Sequence, residues 1–140
     1  MVDVVDGDTI TVSLDGRIVR VRYIGIDAPE MGVPESSPQW MGPEASTFNA
    51  SLLFAETLYL EKDVSEEDPE GRLLRYVWLR SDGWSLVNLI LVENGYAVAS
   101  RDGPDARYQD ALEEAERDAM RLGQGLWSPT PAQPAGGTGG

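Results

Sequence analysis

Apolar and polar residues alternate along residues 1–30, and this period of two predicts β-strands. One apolar set comes before Asp15-Gly16 and a second follows it: Ile10, Val12 and Leu14, then Val19, Val21 and Tyr23. An Asp-Gly pair between two alternating segments indicates a two-residue type I′ hairpin. Because side chains alternate across a strand, Arg22 is expected on the opposite face from Val21 and Tyr23.

Helical periods and turn residues predict the remaining elements. We expect a loop at 31–41, helices at about 42–57, 86–94 and 104–122, and strands at 58–64 and 73–79. The apolar stripe of the last helix is predicted to be Tyr108, Ala111, Leu112, Ala115, Ala119 and Leu122. This order predicts an α+β fold, built as a small, partly open barrel of about five strands that carries helices.

Length and residue content narrow the possible chemistry. The 140 residues suit one domain, predicted at 1–128, followed by a flexible Pro/Gly-rich tail at 129–140. The chain has no Cys and no His, which excludes disulfides, zinc–thiolate sites and histidine bases. Any bound metal must therefore have oxygen ligands, as Ca²⁺, Mg²⁺ or Mn²⁺ prefer.

The charge of the chain gives a mixed signal. A net charge of −13 argues against a nucleic-acid partner if affinity rests on a broad basic surface. However, Lys62 is the single lysine and the other bases are arginines, which favour two-pronged phosphate contacts at fixed points. The sequence has no membrane-spanning apolar stretch and no signal peptide, so we expect a mature or trimmed domain.

Three short motifs carry candidate chemistry. They are Asp6-Gly7-Asp8-Thr9, the stretch from Arg22 to Glu30, and Asp68-Pro69-Glu70-Gly71-Arg72. Taken singly, each has a structural interpretation as a turn, a helix entry or a solvated loop. Together they offer several carboxylates and two arginines, a combination suited to a hard cation and a phosphate group.

These motifs, in this order, resemble the thermonuclease family, the staphylococcal (micrococcal) nuclease homologues. Further matching stretches are Gly42-Pro43-Glu44-Ala45, Asn88-Leu89, Gly95-Tyr96-Ala97 and Gly125-Leu126-Trp127. The resemblance implies an OB-fold, a five-stranded β-barrel with three α-helices. It also implies a Ca²⁺-dependent phosphodiesterase, an endonuclease that cleaves DNA and RNA and leaves 3′-phosphate ends.

The resemblance assigns a metal-binding role to one group of residues. Asp8 and Asp27 match the metal-binding carboxylates of the family, and Ala28 matches a residue that contributes its backbone carbonyl. Asp6 matches an outer carboxylate near the metal. Two carboxylates with carbonyls and waters meet the needs of Ca²⁺ and leave room for a phosphate oxygen.

The resemblance assigns catalytic roles to three other residues. Arg22 and Arg72 match the arginines that hold the scissile phosphate, and Glu30 matches the proposed general base or orienter of the attacking water. Two guanidinium groups would stabilise the charge that develops on the phosphate oxygens during attack.

Two other classes of function remain open at this point. The chain could be a non-catalytic nucleic-acid or protein-binding module on the same barrel, or an acidic domain that binds cations or proteins. Asp8, Arg22, Asp27, Glu30 and Arg72 are all present, which favours the nuclease because a binding module need not keep all five. We expect a monomer acting on single-stranded DNA and RNA in preference. The family resemblance suggests a secreted or cell-envelope protein.

Overall fold

The computed structural model describes residues 3–29, 42–101 and 103–128. Glu30, the predicted loop at 31–41 and the predicted tail at 129–140 lie outside these residues. The described elements are β1 (Asp3–Asp6), β2 (Thr9–Leu14), β3 (Arg17–Tyr23), β4 (Ile26–Asp27), α1 (Gly42–Leu53), β5 (Tyr59–Glu61), β6 (Leu73–Arg80), β7 (Trp84–Leu86), α2 (Val87–Glu93), β8 (Val98–Ala99), α3 (Gln109–Leu122) and a short 3₁₀ helix (Gly125–Trp127).

The main sheet has the strand order β1-β2-β3-β6-β5, and β7 also pairs with β6. Neighbouring strands run antiparallel except β3 and β6, which are parallel. Within the described residues β1 and β5 are not paired with each other, so the sheet is not closed into a barrel. The α+β class and the three helices are confirmed. The path β1-β2-β3-β6-β5 has the five strands that were predicted; β7 pairs with β6 outside this path, and β4 pairs with β8 in a second, two-stranded sheet.

The hairpin between β2 and β3 forms as the sequence predicts. Asp15 has φ 52° and Gly16 has φ 80°, the positive values that a type I′ turn requires at both central positions. The resulting register pairs Thr9 with Arg22, which brings the first acidic motif beside Arg22. Val21 is buried while Arg22 is only half-buried, so the predicted alternation of faces is confirmed.

The core lies between the inner face of the β2–β3 hairpin and the helices. Its members are apolar side chains that are almost wholly buried, among them Ile10, Val21, Leu53, Leu91 and Leu112. Each such side chain contributes about 1.5–3 kcal/mol on burial, so this cluster is the main source of stability for the scaffold. Within the described residues, none of the helices combines the length and apolar character that crossing a bilayer requires.

Two predicted elements end earlier than expected. Helix α1 stops at Leu53 instead of residue 57, since Ala55 adopts a left-handed φ of 59° that a helix cannot accommodate. Strand β5 covers only Tyr59–Glu61 instead of 58–64, because pairing with β6 is limited to these three residues.

The last helix begins later than expected. Helix α3 starts at Gln109 instead of residue 104, because residues just before it form turns. Leu112, Ala115 and Ala119 are buried as predicted, but Ala111 and Leu122 are exposed. The buried stripe is therefore narrower than the pattern of apolar residues indicated.

Asp105 lies in the turns before α3 and fixes this segment to an earlier loop. Its side chain is almost fully buried, and Oδ1 accepts hydrogen bonds from the backbone N–H groups of Val64 (2.8 Å) and Ser65 (2.7 Å). Burial alone would raise the pKa of Asp105, but hydrogen bonds from Ser65 and from the Val64 amide outweigh it and lower the pKa. Asp105 thus ties two loops together beside the site described below.

We expect Asp105→Asn to lower the free energy of unfolding at pH 7 by about 2 kcal/mol, because a charged acceptor of buried N–H groups is lost. The folded-state pKa lies below the ordinary value of 3.8, so this stabilisation is present above that value and is lost as pH falls through the folded pKa. Urea denaturation of the wild-type protein and of Asp105→Asn from pH 7 to pH 3 measures this difference in the free energy of unfolding. Asp110→Asn, an exposed change on α3, is the control, and an equal loss in both variants would refute the assignment.

Candidate active site

The turn between β1 and β2 lies against two other segments. A Cβ atom added to Gly7 would lie 2.8 Å from the Cβ of Ala28 and 2.9 Å from the Cβ of Ala45. A side chain at this position would therefore clash with both the segment after β4 and helix α1. Glycine is required here for close approach, which holds Asp8 next to the residues that follow Asp27.

Asp8 is buried and oriented by neighbouring donors. Its Oδ2 accepts a hydrogen bond from the Ala28 backbone N–H at 2.8 Å, and its Oδ1 accepts one from Thr9 Oγ1 at 3.2 Å. These contacts connect the two predicted metal-binding segments directly. Ala28 meets Asp8 through its amide, and the role of its carbonyl as a metal ligand stays a prediction.

Arg22 lies between the two predicted carboxylate ligands. Its Nη1 donates hydrogen bonds to the carbonyl oxygens of Tyr23 (2.7 Å) and Ile26 (2.9 Å), which fixes the guanidinium group. Its Nη2 lies 3.6 Å from Asp8 Oδ2 and 3.8 Å from Asp27 Oδ1. The structure thus places Arg22, Asp8 and Asp27 together, as the sequence predicted. The Asp27 side chain is 65% exposed, so this side of the cluster faces solvent.

A buried hydrogen-bond chain connects the acidic turn to helix α1. The Tyr23 hydroxyl donates to Asn49 Oδ1 at 2.8 Å, and Asn49 Nδ2 donates to the Asp6 carbonyl at 3.2 Å. Burial raises the pKa of Tyr23 far above its ordinary value, so its hydroxyl remains a donor. Asn49 was not predicted as a site residue, although it lies four residues after the buried Ala45 and is therefore a polar residue on the core face of α1.

Negative charge is crowded at this turn. Burial, followed by interaction with the Asp8 carboxylate, raises the pKa of Asp6 to about 7. Asp6 also accepts a hydrogen bond from the Asp8 backbone N–H at 3.1 Å, which fixes the two acids side by side. The region therefore has a local excess of carboxylate oxygens despite the nearby Arg22.

Arg72 is held by Asp68, a member of the same short motif to which no separate role was assigned. Asp68 Oδ2 accepts a hydrogen bond from Arg72 Nε at 2.6 Å, while Asp68 Oδ1 accepts from the backbone N–H groups of Arg72 and Glu70. Burial would raise the pKa of Asp68, but these hydrogen bonds outweigh it and lower the pKa. The sequence does contain a signal for this pair, because an acid and an arginine lie four residues apart with a glycine between them. In the structure that glycine, Gly71, adopts φ 82°.

The two arginines face the same cavity. A cleft of about 410 Å³, here called the arginine cleft, is lined by Arg22, Ser65, Glu67, Asp68, Pro69, Glu70, Arg72, Leu74 and Asp105. The parallel pairing of β3 with β6 sets Arg22 opposite Leu74, two residues after Arg72. The structure therefore brings Arg22 together with Asp8 and Asp27 through ion pairs, and with Arg72 through the lining of one cleft, whereas Glu30 lies outside the described residues.

The chemistry of the donors fits a hard cation. Asp8 and Asp27 offer carboxylate oxygens on two adjoining segments, and neither nitrogen nor sulfur donors of His or Cys exist in the chain. Residues 3–29, 42–101 and 103–128 contain no group of three or more acidic side chains arranged to hold a metal ion. A complete ligand set must therefore include waters, carbonyls or residues outside these ranges.

Comparisons of the sequence with known proteins find nucleases among its relatives. A family model described as "Staphylococcal nuclease homologue" matches residues 20–129. The chain is 39% identical over 128 residues to the thermonuclease of Staphylococcus hyicus, covering 91% of this chain and 74% of the relative. It is 37% identical over 124 residues to the thermonuclease of Staphylococcus intermedius, covering 89% of this chain and 72% of that relative. It is 38% identical over 125 residues to the SPbeta prophage-derived endonuclease YokF of Bacillus subtilis (strain 168), covering 89% of this chain and 42% of that relative.

Proposed function

Because this chain belongs to the staphylococcal nuclease homologues, we propose that it is a nuclease that uses Ca²⁺ to hydrolyse phosphodiester bonds. The substrates are DNA and RNA, single-stranded in preference, and the products carry 3′-phosphate ends. We further propose that the nuclease domain comprises residues 1–128, that it acts as a monomer, and that the tail at 129–140 is not needed for activity.

The observation that carries this proposal is the position of Arg22. Its guanidinium group lies within 4 Å of both Asp8 and Asp27 and also lines the arginine cleft with Arg72. A phosphate bound by Arg22 and Arg72 in this cleft would lie close to the carboxylates of Asp8 and Asp27, which are the ion-pair partners of Arg22. Since carboxylates repel phosphate, such a site needs a cation between them, which the donor chemistry of Asp8 and Asp27 accommodates.

The arginines have distinct parts in the proposed reaction. Arg22 is anchored through Nη1 to two carbonyl oxygens, which leaves Nη2 directed toward the carboxylates and the site of the scissile phosphate. Arg72 is anchored through Nε to Asp68, so its terminal nitrogens extend into the cleft, where Nη2 lies 3.4 Å from Glu70. Both groups are thereby oriented before substrate binds, which favours stabilisation of the charge formed in the transition state.

The remaining roles rest on the carboxylates. Asp8 and Asp27 would hold Ca²⁺, with the Ala28 carbonyl as a further ligand and Asp6 as an outer carboxylate. Bound there, Ca²⁺ would supply a Lewis acid that polarises the phosphate and lowers the pKa of a water molecule. Glu30 would orient the attacking water or accept its proton.

End-group analysis tests the proposed reaction. We expect end-labelled single-stranded DNA and RNA oligonucleotides to be cleaved internally in Ca²⁺, with products whose 3′ ends are blocked until a phosphatase removes the phosphate. Duplex DNA of the same sequence should be cleaved more slowly. Products with free 3′-hydroxyl ends in Ca²⁺ would refute the proposal, because they arise when the bond between phosphorus and the 3′ oxygen is broken instead of the bond to the 5′ oxygen.

A further inference from the structure

A second cleft opens beside the arginine cleft, between β3 and the acidic turn before β6. This outer groove has a volume of about 440 Å³ and four arginines in its lining: Arg17, Arg20, Arg72 and Arg75. Glu67, Glu70 and Arg72 line both cavities. The outer groove is therefore continuous with the cavity that holds the proposed catalytic arginines.

The groove exists because β3 extends beyond the strand next to it. Strand β3 spans Arg17–Tyr23, but β6 pairs with it only at Val21, Arg22 and Tyr23. The first half of β3 has β2 along one edge and the turn at residues 66–72 along the other. Arg20 lies on the same face of β3 as Arg22, about 7 Å along the strand.

Arg17 and Arg20 differ from the other arginines of the two cavities. Both are exposed, and neither forms an ion pair or hydrogen bond with any residue in the described ranges. By contrast, Arg72 is paired with Asp68 at 2.6 Å and Arg75 with Glu66 at 3.2 Å. In a chain with 24 acidic and 11 basic side chains, two nearby arginines without such partners are well suited to an anionic ligand from outside.

The glutamates of the groove do not cancel this charge. Glu66 is paired with Arg75, and Glu70 lies 3.4 Å from Arg72. Four arginines and three glutamates line the groove, so its lining has one more positive than negative side chain. Arg17 and Arg20 are the two guanidinium groups of this lining that no described acid pairs with.

We propose that Arg20 and Arg17 bind a second phosphate of the nucleic-acid strand whose scissile phosphate lies in the arginine cleft. This inference rests on the proposed nuclease function and adds a subsite to it. A single strand carries a phosphate at every nucleotide, so a strand running along the face of β3 meets Arg22 and then Arg20. The subsite makes the enzyme favour longer strands over a dinucleotide without terminal phosphates, because the single phosphate of such a dinucleotide cannot occupy both positions.

The test compares a roughly 12-nucleotide single strand with a dinucleotide as substrates. We expect R17Q/R20Q to lower kcat/KM for the longer strand by about tenfold and to leave kcat/KM for the dinucleotide within about twofold of wild type. The log–log salt dependence for the longer strand should become less steep by about 0.7 for each phosphate that the variant no longer binds. Arg117→Gln removes one exposed arginine from α3 and serves as the control for loss of positive surface charge outside the groove.

Several results separate failure of the subsite from failure of the nuclease function. An equal loss on both substrates, or a loss no greater than that of R117Q, would overturn the subsite while leaving the nuclease function intact. If the wild-type protein cleaved neither substrate, the nuclease function would fail. In that case, fluorescence anisotropy of the labelled longer strand, with chelator present, would test phosphate binding at the subsite without cleavage. The subsite proposal requires R17Q/R20Q to bind this strand about tenfold more weakly than R117Q does.

Discussion

Replacing Arg22 or Arg72 by alanine is expected to lower kcat by about 10²–10³-fold in saturating Ca²⁺. Each guanidinium group is held in place before substrate binds, Arg22 by two carbonyl oxygens and Arg72 by Asp68. Such fixed charges contribute most when negative charge builds on the phosphate oxygens during attack. The loss should therefore appear mainly in kcat, with a smaller change in KM.

Folding effects must be separated from this loss, because Arg22 also bridges Tyr23 and Ile26 through Nη1. Thermal unfolding and circular dichroism of each variant show whether the fold is intact at the assay temperature. Arg22→Lys keeps the charge but not the two-pronged geometry, and it should regain only a small part of the lost rate. A folded Arg72→Ala protein with near-normal turnover would remove Arg72 from the mechanism.

The second large effect is expected for Asp27→Asn, which should weaken Ca²⁺ binding and cleavage together. Asp27 is the better test of the carboxylate pair, because its side chain is 65% exposed whereas that of Asp8 is 7% exposed and hydrogen-bonded to the Ala28 amide. Loss of one anionic ligand should reduce Ca²⁺ affinity by at least about tenfold, as measured by isothermal titration calorimetry.

Asp15→Asn provides the matched control for this experiment. Asp15 lies at the hairpin turn with φ 52°, a conformation that asparagine also adopts readily, so the change removes one carboxylate without a fold defect. Ca²⁺ affinity and cleavage should match wild type in this protein. Unchanged Ca²⁺ affinity in Asp27→Asn would disprove the ligand assignment.

The sequence predicted the part of the site that depends on local rules. Alternation along β3 placed Arg22 on the face opposite Val21 and Tyr23, and the Asp15-Gly16 turn set the register that brings Arg22 beside the first acidic motif. Both features follow from strand geometry and from the backbone preference of a single turn, so no knowledge of distant contacts was needed.

Features that depend on contacts between distant segments were not predictable in the same way. The late start of α3 follows from Asp105, whose carboxylate binds amides some 40 residues earlier in the chain. The outer groove arises because β6 pairs with only part of β3. Apolar periodicity describes one segment at a time, and it therefore does not show where two segments leave a gap or exchange hydrogen bonds.

The initial rate of plasmid nicking by the wild-type protein, with Ca²⁺ and with a chelator, tests directly whether the chain is a Ca²⁺-dependent nuclease. Arg22→Ala is measured beside it to link any activity to this site and to exclude a contaminating nuclease. We expect nicking by the wild-type protein in Ca²⁺, no nicking in chelator, and nicking slower by at least about 10²-fold for Arg22→Ala. Nicking at the same rate in chelator, or by a folded Arg22→Ala protein, would contradict this expectation, as would complete absence of nicking by the wild-type protein in Ca²⁺.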